Sequence, residues 1–278
     1  MIRTSFRLPA ALLLAATLAA CGGGDAEIPA ASDERPPGEI FRTAEAQLNA
    51  GDAEGAAFLF DEIERLYPYS QWAKRAIIMS AFANYQAGLY ADSRSSAERY
   101  LAFYPTDEDA AYAQYLIALS WYDQISDVGR DQGNTFEALQ ALRQTIERYP
   151  ESAYTRDAEL KFDLTLDHLA GKEMEIGRYY LKRGHYMAAI NRFLAVVEEY
   201  QTTSHTPEAL HRLVESYLSL GLTDEAQTAG AILGFNFQGS EWYEFSFARL
   251  NGAGLSPEAT GGGRLQRLYR QVVRGEWL

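Results

Sequence analysis

The sequence predicts an all-α protein, a superhelical stack of about five helical hairpins. From Glu39 onward it has almost no strand signals, whereas residues with helical amphipathic spacing are abundant. Gly51 is followed by Gly88 at a spacing of 37 residues. The dipeptide Tyr-Pro recurs with spacings of 37 and 45 residues, at 67/68, 104/105 and 149/150. Repeats of this length are typical of stacked helical pairs that bury their apolar faces against their neighbours.

Residues 1–20 predict a lipoprotein signal peptide. Two arginines precede an apolar run that is too short to span a bilayer, and small residues follow. The run ends in Leu18-Ala19-Ala20-Cys21, which matches the bacterial lipoprotein box, and Cys21 is the only cysteine of the chain. We therefore expect Cys21 to carry the lipid and to become the new N-terminus. The alternative is an ordinary signal peptide with a chance cysteine.

Residues 21–38 predict a lipidated flexible tether, because they are small, polar and contain prolines. Gly22 follows the cysteine directly. The sorting rule that accompanies the lipoprotein box retains a chain in the inner membrane when aspartate stands at this place. The rule therefore implies delivery to the outer membrane, with the body of the protein facing the periplasm.

Residues 39–151 predict three N-terminal hairpins of the tetratricopeptide (TPR) type. In this pattern the second helix of a hairpin carries a small residue and a bulky apolar residue, and proline ends it. Proline removes a helical hydrogen bond and disfavours helix in the preceding residue, so each Tyr-Pro predicts a turn between hairpins. An insertion at 123 to 134 predicts a loop inside the third hairpin. The matching triplets are Ala56, Phe60 and Pro68, then Ser93, Ala97 and Pro105, then Ala138, Leu142 and Pro150.

Residues 152–254 predict two further hairpins and a following helix. A helical pattern from about Ala153 to Arg183 is twice the ordinary length, so we expect one shared helix to join the two sets of hairpins. Gln201 stands where the other turns have proline, and we expect the helix before it to fray. The TPR positions of these hairpins are Gly177, Tyr180, Ala189 and Phe193, then Tyr217, Gly221 and Ala226.

Residues 255–278 predict a glycine linker and a basic amphipathic tail. On a helix the arginines at 264, 267, 270 and 274 share one flank, and apolar residues share another. Three destinations fit this pattern: anionic lipid headgroups, a protein partner, or the acidic hairpins of the chain itself. We favour partner or self docking, because so short a helix has modest membrane affinity.

The composition argues against two classes of function. The formal charge of −13 falls to about −15 without Arg3 and Arg7, and phosphate binding needs a basic surface, so we expect no nucleic-acid partner. The four histidines form no zinc motif, and no nucleophile elbow is present. We therefore expect no catalytic site, no metal and no cofactor, and no segment is left over for an enzyme domain.

Three stretches resemble the BamD (ComL) family, the TPR lipoproteins of the outer-membrane β-barrel assembly machinery. They are RPPGEIFRTAEAQLNAGD, ERLYPYSQWAKRA and the segment EIGRYYLKRGHYMAAINRFLAVVEEYQTT at 175–203. The resemblance covers about residues 8 to 250, and Gln201 departs from the proline that this family usually has. It implies a scaffold bound to the periplasmic domains of the BamA-like barrel-insertion subunit. Other assembly lipoproteins and unfolded outer-membrane proteins are the further partners that it implies.

The resemblance directs attention to Arg192, because such sequences carry the same Asn-Arg pair and their arginine is associated with the insertion subunit. Ala189 and Phe193 are committed to hairpin packing, so the Arg192 side chain is expected to be exposed. The alternative is a salt bridge within the chain, to Glu199 or to an acid of the preceding long helix. Neighbouring candidates for the same contact are Tyr179, Lys182 and Arg183.

Aromatic residues of the first helices predict a groove for substrate peptides. An extended peptide with apolar and aromatic side chains, such as the terminal strand of a barrel protein, would suit such a surface. The alternative is that several of these residues pack between hairpins. TPR numbering places on or near the concave side Phe41, Phe82, Tyr85, Tyr112, Tyr115 and Tyr122, and the family resemblance adds Tyr67.

A second binding function fits the same pattern, namely a periplasmic TPR lipoprotein scaffold for cell-division or peptidoglycan enzymes. Such a scaffold more often carries a coiled coil or a glycan-binding domain. Neither feature is recognisable in the sequence.

Overall fold

The computed structural model describes residues 35–260 and 263–274, and these contain twelve α-helices and no strand. The signal peptide and the predicted lipid site at Cys21 lie outside the described residues. The helices are α1 Pro37–Asn49, α2 Ala53–Leu66, α3 Gln71–Gln86, α4 Tyr90–Phe103, α5 Ala110–Tyr122, α6 Gly133–Arg148, α7 Thr155–Lys182, α8 Tyr186–Glu199, α9 Thr206–Ser219, α10 Thr223–Asn236, α11 Glu241–Gly252 and α12 Arg264–Arg274.

Consecutive helices pack as five hairpins, from α1 with α2 to α9 with α10, and each hairpin packs on the next. The all-α stack of helical pairs is thereby confirmed. The first helices also contact one another, α1 with α3, α3 with α5 and α5 with α7. They therefore line one continuous side of the stack, which we call the first-helix face.

The turn inside four of the hairpins depends on glycine. Gly51, Gly88, Gly184 and Gly221 have φ angles of 89°, 75°, 73° and 72°, in the left-handed region that favours glycine. The third hairpin has the predicted insertion instead, and it forms a loop over residues 123–132 before α6 begins at Gly133.

The turns between hairpins share one geometry. The residue that caps the C-terminus of the second helix is aromatic, and the carbonyl of this residue accepts from the N–H three positions on, as in Ser70 N–H to Tyr67 O. Tyr200 has the same backbone angles without a following proline, with φ −126° and ψ 41°. The expected fraying at Gln201 is therefore wrong. Helix α8 ends at Glu199, and the hydroxyl of Thr206 donates to Tyr200 O at 3.0 Å.

Three hydrophobic cores follow one another along the chain. The first joins α1, α2 and α3, the second extends from α3 to α7, and the third extends from α7 to α12. The 28-residue helix α7 gives Ala158 to the second core and Met174 to the third. One long helix thus connects the N-terminal and C-terminal hairpins, as the sequence pattern predicts.

The described part of the C-terminal tail folds back on the chain. Helix α11 packs on α9 and α10, and α12 packs on α10. Leu265 of α12 is buried in the third core, and Arg264 forms an ion pair with Glu198 of α8. Of the three destinations open to the tail, the structure shows self docking for this part. No helix among the described residues has the length and apolar character needed to cross a bilayer.

Candidate functional site

Arg192 lies at the edge of a surface pocket of about 450 Å³ between α7 and α8. Its Nη1 donates to both carboxylate oxygens of Glu173, at 3.0 Å and 3.2 Å, while 43% of the side chain stays exposed. The residue is therefore exposed and at the same time paired with an acid of the preceding long helix. The other lining residues are Tyr180, Ala188, Asn191, Ala195, Glu199 and Tyr200.

The three other predicted partner residues lie at the end of α7, beside this pocket. The ring of Tyr179 contacts the ring of Tyr180 at 5.6 Å between centroids, and Tyr180 lines the pocket. The guanidinium of Arg183 stacks over the ring of Tyr179 at 4.3 Å from its centroid, and Lys182 is exposed. Sequence reasoning missed Glu173, Tyr180 and Tyr200 as pocket residues. Tyr180 matched a TPR packing position, so its pattern indicated packing alone.

The predicted groove residue Phe41 is buried, with 1% of its surface exposed. Its ring packs against Phe60 at 5.2 Å and Trp72 at 5.1 Å between centroids. Helix α1 is the terminal helix of the stack, and Phe41 fills the space between it and the next two helices. The expectation that Phe41 faces a peptide is therefore wrong for this arrangement of the chain.

Five of the six remaining predicted aromatics lie on α3 and α5. We call them the aromatic belt, and they are Phe82, Tyr85, Tyr112, Tyr115 and Tyr122. Four of its members are half-buried, and Tyr115 is 9% exposed. The rings of Phe82 and Tyr112 lie 6.4 Å apart, and Tyr154 of the next hairpin packs on Tyr112 at 5.1 Å. The belt therefore joins three successive hairpins along the first-helix face.

Two hydroxyls of the aromatic belt are already used inside the protein. Tyr85 donates to Asp123 and Tyr115 donates to Asp157, which also accepts from Lys161 at 2.7 Å. Burial, and then the hydrogen bond to a carboxylate, raises the pKa of both phenols well above the ordinary value. These tyrosines consequently remain protonated donors, and their hydroxyls are already engaged inside the protein.

A groove of about 860 Å³ opens at the first turn between hairpins, around Pro68. Tyr69 is fully exposed there and Phe103 is 62% exposed. Charged residues also line the groove, and among them Arg99 Nε lies 3.0 Å from the Glu64 carboxylate. Tyr67, the predicted residue at this turn, packs against the first core. We call this surface the first-turn groove, and its other lining residues are Asp61, Arg65, Ala73, Ile77 and Tyr104.

Sequence reasoning missed Tyr69 and Phe103, because neither occupies a position of the TPR pattern. Phe103 is the last residue of α4 and Tyr69 is the second residue of the turn after Tyr67. The groove also contains an acid in an unusual setting. Partial desolvation raises the pKa of Asp61, about half of whose side chain stays exposed, although the hydrogen bond from Ser80 at 2.7 Å opposes this shift. Within the part of the chain that the structure describes, no cluster of His, Cys, Asp and Glu is suited to a metal ion.

Comparisons with known proteins place the chain in a family. The model of the YfiO outer membrane lipoprotein family matches residues 33–232. The outer membrane protein assembly factor BamD of Caulobacter vibrioides is 48% identical over 248 residues, which are 89% of this chain and 81% of that protein. BamD of Rickettsia prowazekii is 44% identical over 192 residues, 69% of this chain and 76% of that protein.

A solved thermophilic TPR protein of Thermus thermophilus aligns over 77% of this chain and 98% of that chain, with 19% identity and a TM-score of 0.36. The family model covers all five hairpins up to the second half of α10, and the two relatives extend the same assignment over most of the chain. The chain therefore belongs to the BamD (ComL) family of outer membrane lipoproteins.

Proposed function

We propose that the protein is a lipid-anchored, non-catalytic scaffold of the outer-membrane β-barrel assembly machinery. Its body faces the periplasm, its C-terminal hairpins hold the barrel-insertion subunit, and its N-terminal hairpins receive unfolded outer-membrane proteins. Family membership supports the role in assembly. The observation that carries the finer proposal is the presence of two surfaces of different chemistry on the two sets of hairpins.

The C-terminal surface suits a folded protein partner. Arginine offers five donors in a planar fork, and arginine and tyrosine are common among the residues that dominate interface energies. Arg192 is held in place by Glu173, and Tyr179 and Tyr180 lie beside it. An acidic side chain of the insertion subunit can occupy the exposed side of the Arg192 guanidinium while Glu173 keeps the other side.

The N-terminal surfaces suit an extended peptide. The first-turn groove offers Tyr69 and Phe103 as exposed rings, and the aromatic belt offers the exposed parts of half-buried rings. Peptides with alternating aromatic or apolar side chains, as in the strands of barrel proteins, can place those side chains against rings while their backbone stays solvated. We therefore assign the reception of unfolded chains to Tyr67, Tyr69, Phe103 and the exposed edges of the belt.

Photo-crosslinkers test the peptide assignment. A crosslinker at Tyr69 or Tyr85 should capture the C-terminal peptide of a barrel protein, whereas one at Phe235, an exposed aromatic of α10 with 61% exposure, should not. Capture at Phe235 alone would contradict the assignment to the N-terminal hairpins. Mass spectrometry of proteins that co-purify from gently solubilised membranes tests the partner assignment, because the insertion subunit must then be among them.

The lipid anchor is tested separately by intact mass. The wild-type protein should carry acyl chains at Cys21, and Cys21→Ser should remain an unlipidated precursor. Absence of acyl mass from the wild-type protein would contradict the anchoring model without affecting the assignment of the two surfaces.

A further inference from the structure

The folded chain continues beyond the part that the family model covers. The model match ends at residue 232, inside α10, whereas α11 and α12 follow and pack on the C-terminal hairpins. The linker between α11 and α12 contacts α10, since the hydroxyl of buried Thr228 donates to Thr260 O at 2.7 Å. Helices α11 and α12 are therefore packed at a defined position on the C-terminal hairpins.

Helix α12 is basic on a strongly acidic chain. Its sequence RLQRLYRQVVR contains four arginines and no acid, whereas the whole chain has a formal charge of −13. At 100° per residue, Arg264, Arg267 and Arg270 lie within about 120° of one another on the helix surface. The opposite flank carries Leu265 and Tyr269, which pack against the third core, so the arginine flank points away from the core. Arg267 is exposed, and Arg270 is half-buried.

The arginine flank begins beside the helix that carries Arg192. Arg264 pairs with Glu198 on α8, with Nε to Oε1 at 2.8 Å. Glu198 comes six residues after Arg192, which is about 9 Å along the helix axis. Asn191 lines the Arg192 pocket and lies within about 20° of Glu198 around the helix. The exposed strip of α8 through Asn191 thus connects the pocket on one side with α12 on the other.

We propose that α12 is a basic arm of the partner site around Arg192 and binds an acidic segment of the same barrel-insertion subunit. This inference rests on the proposed function of the C-terminal hairpins. A partner domain that lies along the exposed strip of α8 meets Arg192 at one edge and the arginines of α12 at the other. Opposite charge favours an acidic partner segment, because α12 offers a run of cations without acids.

An anionic lipid surface is the competing occupant, and the structure disfavours it. Amphipathic helices bind membranes by burying their apolar flank in the acyl boundary as well as by charge. In α12 that flank is already packed against the third core through Leu265 and Tyr269. Binding to a membrane would therefore depend on the charge of the arginines alone. The net negative charge of the chain opposes its approach to anionic lipid.

The test is the affinity of the purified full-length lipoprotein for the periplasmic domains of the insertion subunit, measured at low and at physiological salt. Arg267→Glu with Arg270→Glu should lower the affinity on the order of tenfold and flatten its salt dependence, because close charge pairs govern both. The matched control is Arg42→Glu with Arg130→Glu, two exposed arginines of the N-terminal hairpins with the same change in charge. Arg267→Lys with Arg270→Lys should keep most of the binding.

The outcomes separate this inference from the proposed function. If Arg192→Ala weakens binding while the α12 charge reversal behaves like its control, the basic arm is wrong and the proposed function stands. If neither variant weakens binding, both are wrong. A charge reversal that reduces only binding to vesicles of phosphatidylglycerol and phosphatidylethanolamine also overturns the inference, in favour of lipid. If the reversal lowers the melting temperature, the lysine variant decides, because retained binding there supports a role of charge and lost binding contradicts it.

Discussion

The guanidinium of Arg192 on α8 lies 3.0 Å from the carboxylate of Glu173 on α7, with 43% of the Arg192 side chain exposed. So exposed an ion pair contributes at most about 1 kcal/mol to stability, because solvent screens it. Its clearer effect is geometric. Glu173 holds the guanidinium in one orientation at the edge of the pocket, so part of the entropy cost of ordering a long side chain is met before a partner binds.

Arg192→Ala is therefore expected to separate binding from stability. The free energy of unfolding should fall by less than about 1 kcal/mol, whereas affinity for the insertion subunit should fall by about 2 kcal/mol or more, as for an interface anchor. Urea unfolding and a binding titration measure the two effects. The control is Arg65→Ala, which removes a surface ion pair with Glu62 in the N-terminal hairpins. Equal loss of binding in both variants would place the contact elsewhere.

A second prediction concerns Gly177, where α7 and α8 approach closely. A Cβ atom added at Gly177 would lie 2.4 Å from Cε1 of Phe193, whose ring is fully buried. Gly177→Ala should thus destabilise the protein by about 1–3 kcal/mol through overpacking. Gly252→Ala is the matched control, since a Cβ there meets nothing within 4 Å and alanine favours helix. Thermal unfolding should rank Gly177→Ala below the wild type and Gly252→Ala at or above it.

The hairpin stack is predictable from sequence because the residues that form its turns are adjacent in the chain. Tyr-Pro marks three of the turns between hairpins, and left-handed glycines mark four of the turns inside them. The prediction of a frayed helix at Gln201 is wrong because this turn does not require proline. The structure shows that the aromatic C-cap and the bond from Thr203 N–H to Tyr200 O recur without it. Proline is compatible with this turn geometry but is not its cause.

Gln201→Pro should consequently stabilise the protein, by about 0.4–1 kcal/mol, because proline restricts the unfolded chain at a position whose native geometry accepts it. Tyr67, Tyr104 and Tyr149 have nearly the same backbone angles as Tyr200 and are each followed by proline. The cost is one exposed side-chain bond, from Gln201 Nε2 to Glu198 O at 3.2 Å. Urea unfolding measures the change, and a lower midpoint than that of the wild type would show that this turn differs from the others.

The exposure of the aromatic belt was not predictable, because its partners are distant in sequence. Tyr85 pairs with Asp123 and Tyr115 with Asp157, 38 and 42 residues away. The helical spacing of an aromatic residue carries no information on such a partner. Phe41 shows the same limit, since its burial depends on Trp72 of the next hairpin. The pattern thus identified the helices that carry the aromatics, whereas contacts between hairpins determine which rings are exposed.

Tyr115→Phe should test whether that hydroxyl serves the fold. Loss of a hydrogen bond to a charged acceptor should lower the free energy of unfolding by about 1.5–3 kcal/mol, although Lys161 continues to pair with Asp157. Capture of a barrel-protein peptide by a crosslinker at Tyr69 should be unchanged. Tyr69→Phe is the control, because that residue is fully exposed and its change should leave stability unaltered. Unchanged stability of Tyr115→Phe would assign the hydroxyl a role outside the fold.

His211 ties α9 to α11 in an environment that disfavours its charged form. Its Nδ1 lies 2.8 Å from the Ser246 hydroxyl, and its ring packs on Trp242 at 5.4 Å between centroids. Burial is the main cause that lowers the pKa of His211 to about 4; the nearby cations Arg212 and Arg249 act in the same direction, and Glu215 and Glu208 oppose it. The folded protein therefore holds a neutral imidazole, whereas the unfolded chain binds a proton near pH 6.5.

The sign of the resulting pH dependence follows from linkage. Because the unfolded state takes up the proton first, the contribution of His211 to stability is fully present above about pH 6.5 and is lost as the pH falls towards 4. His211→Phe with Ser246→Ala keeps a ring in place and leaves no hydroxyl without its partner, so this variant should lose less stability than the wild type between about pH 7 and pH 5. Urea unfolding at about pH 7, 6 and 5 gives the slope of the free energy of unfolding against pH for the wild type and for the variant. Parallel slopes would mean that other groups, such as Glu208, account for the acid sensitivity of this region.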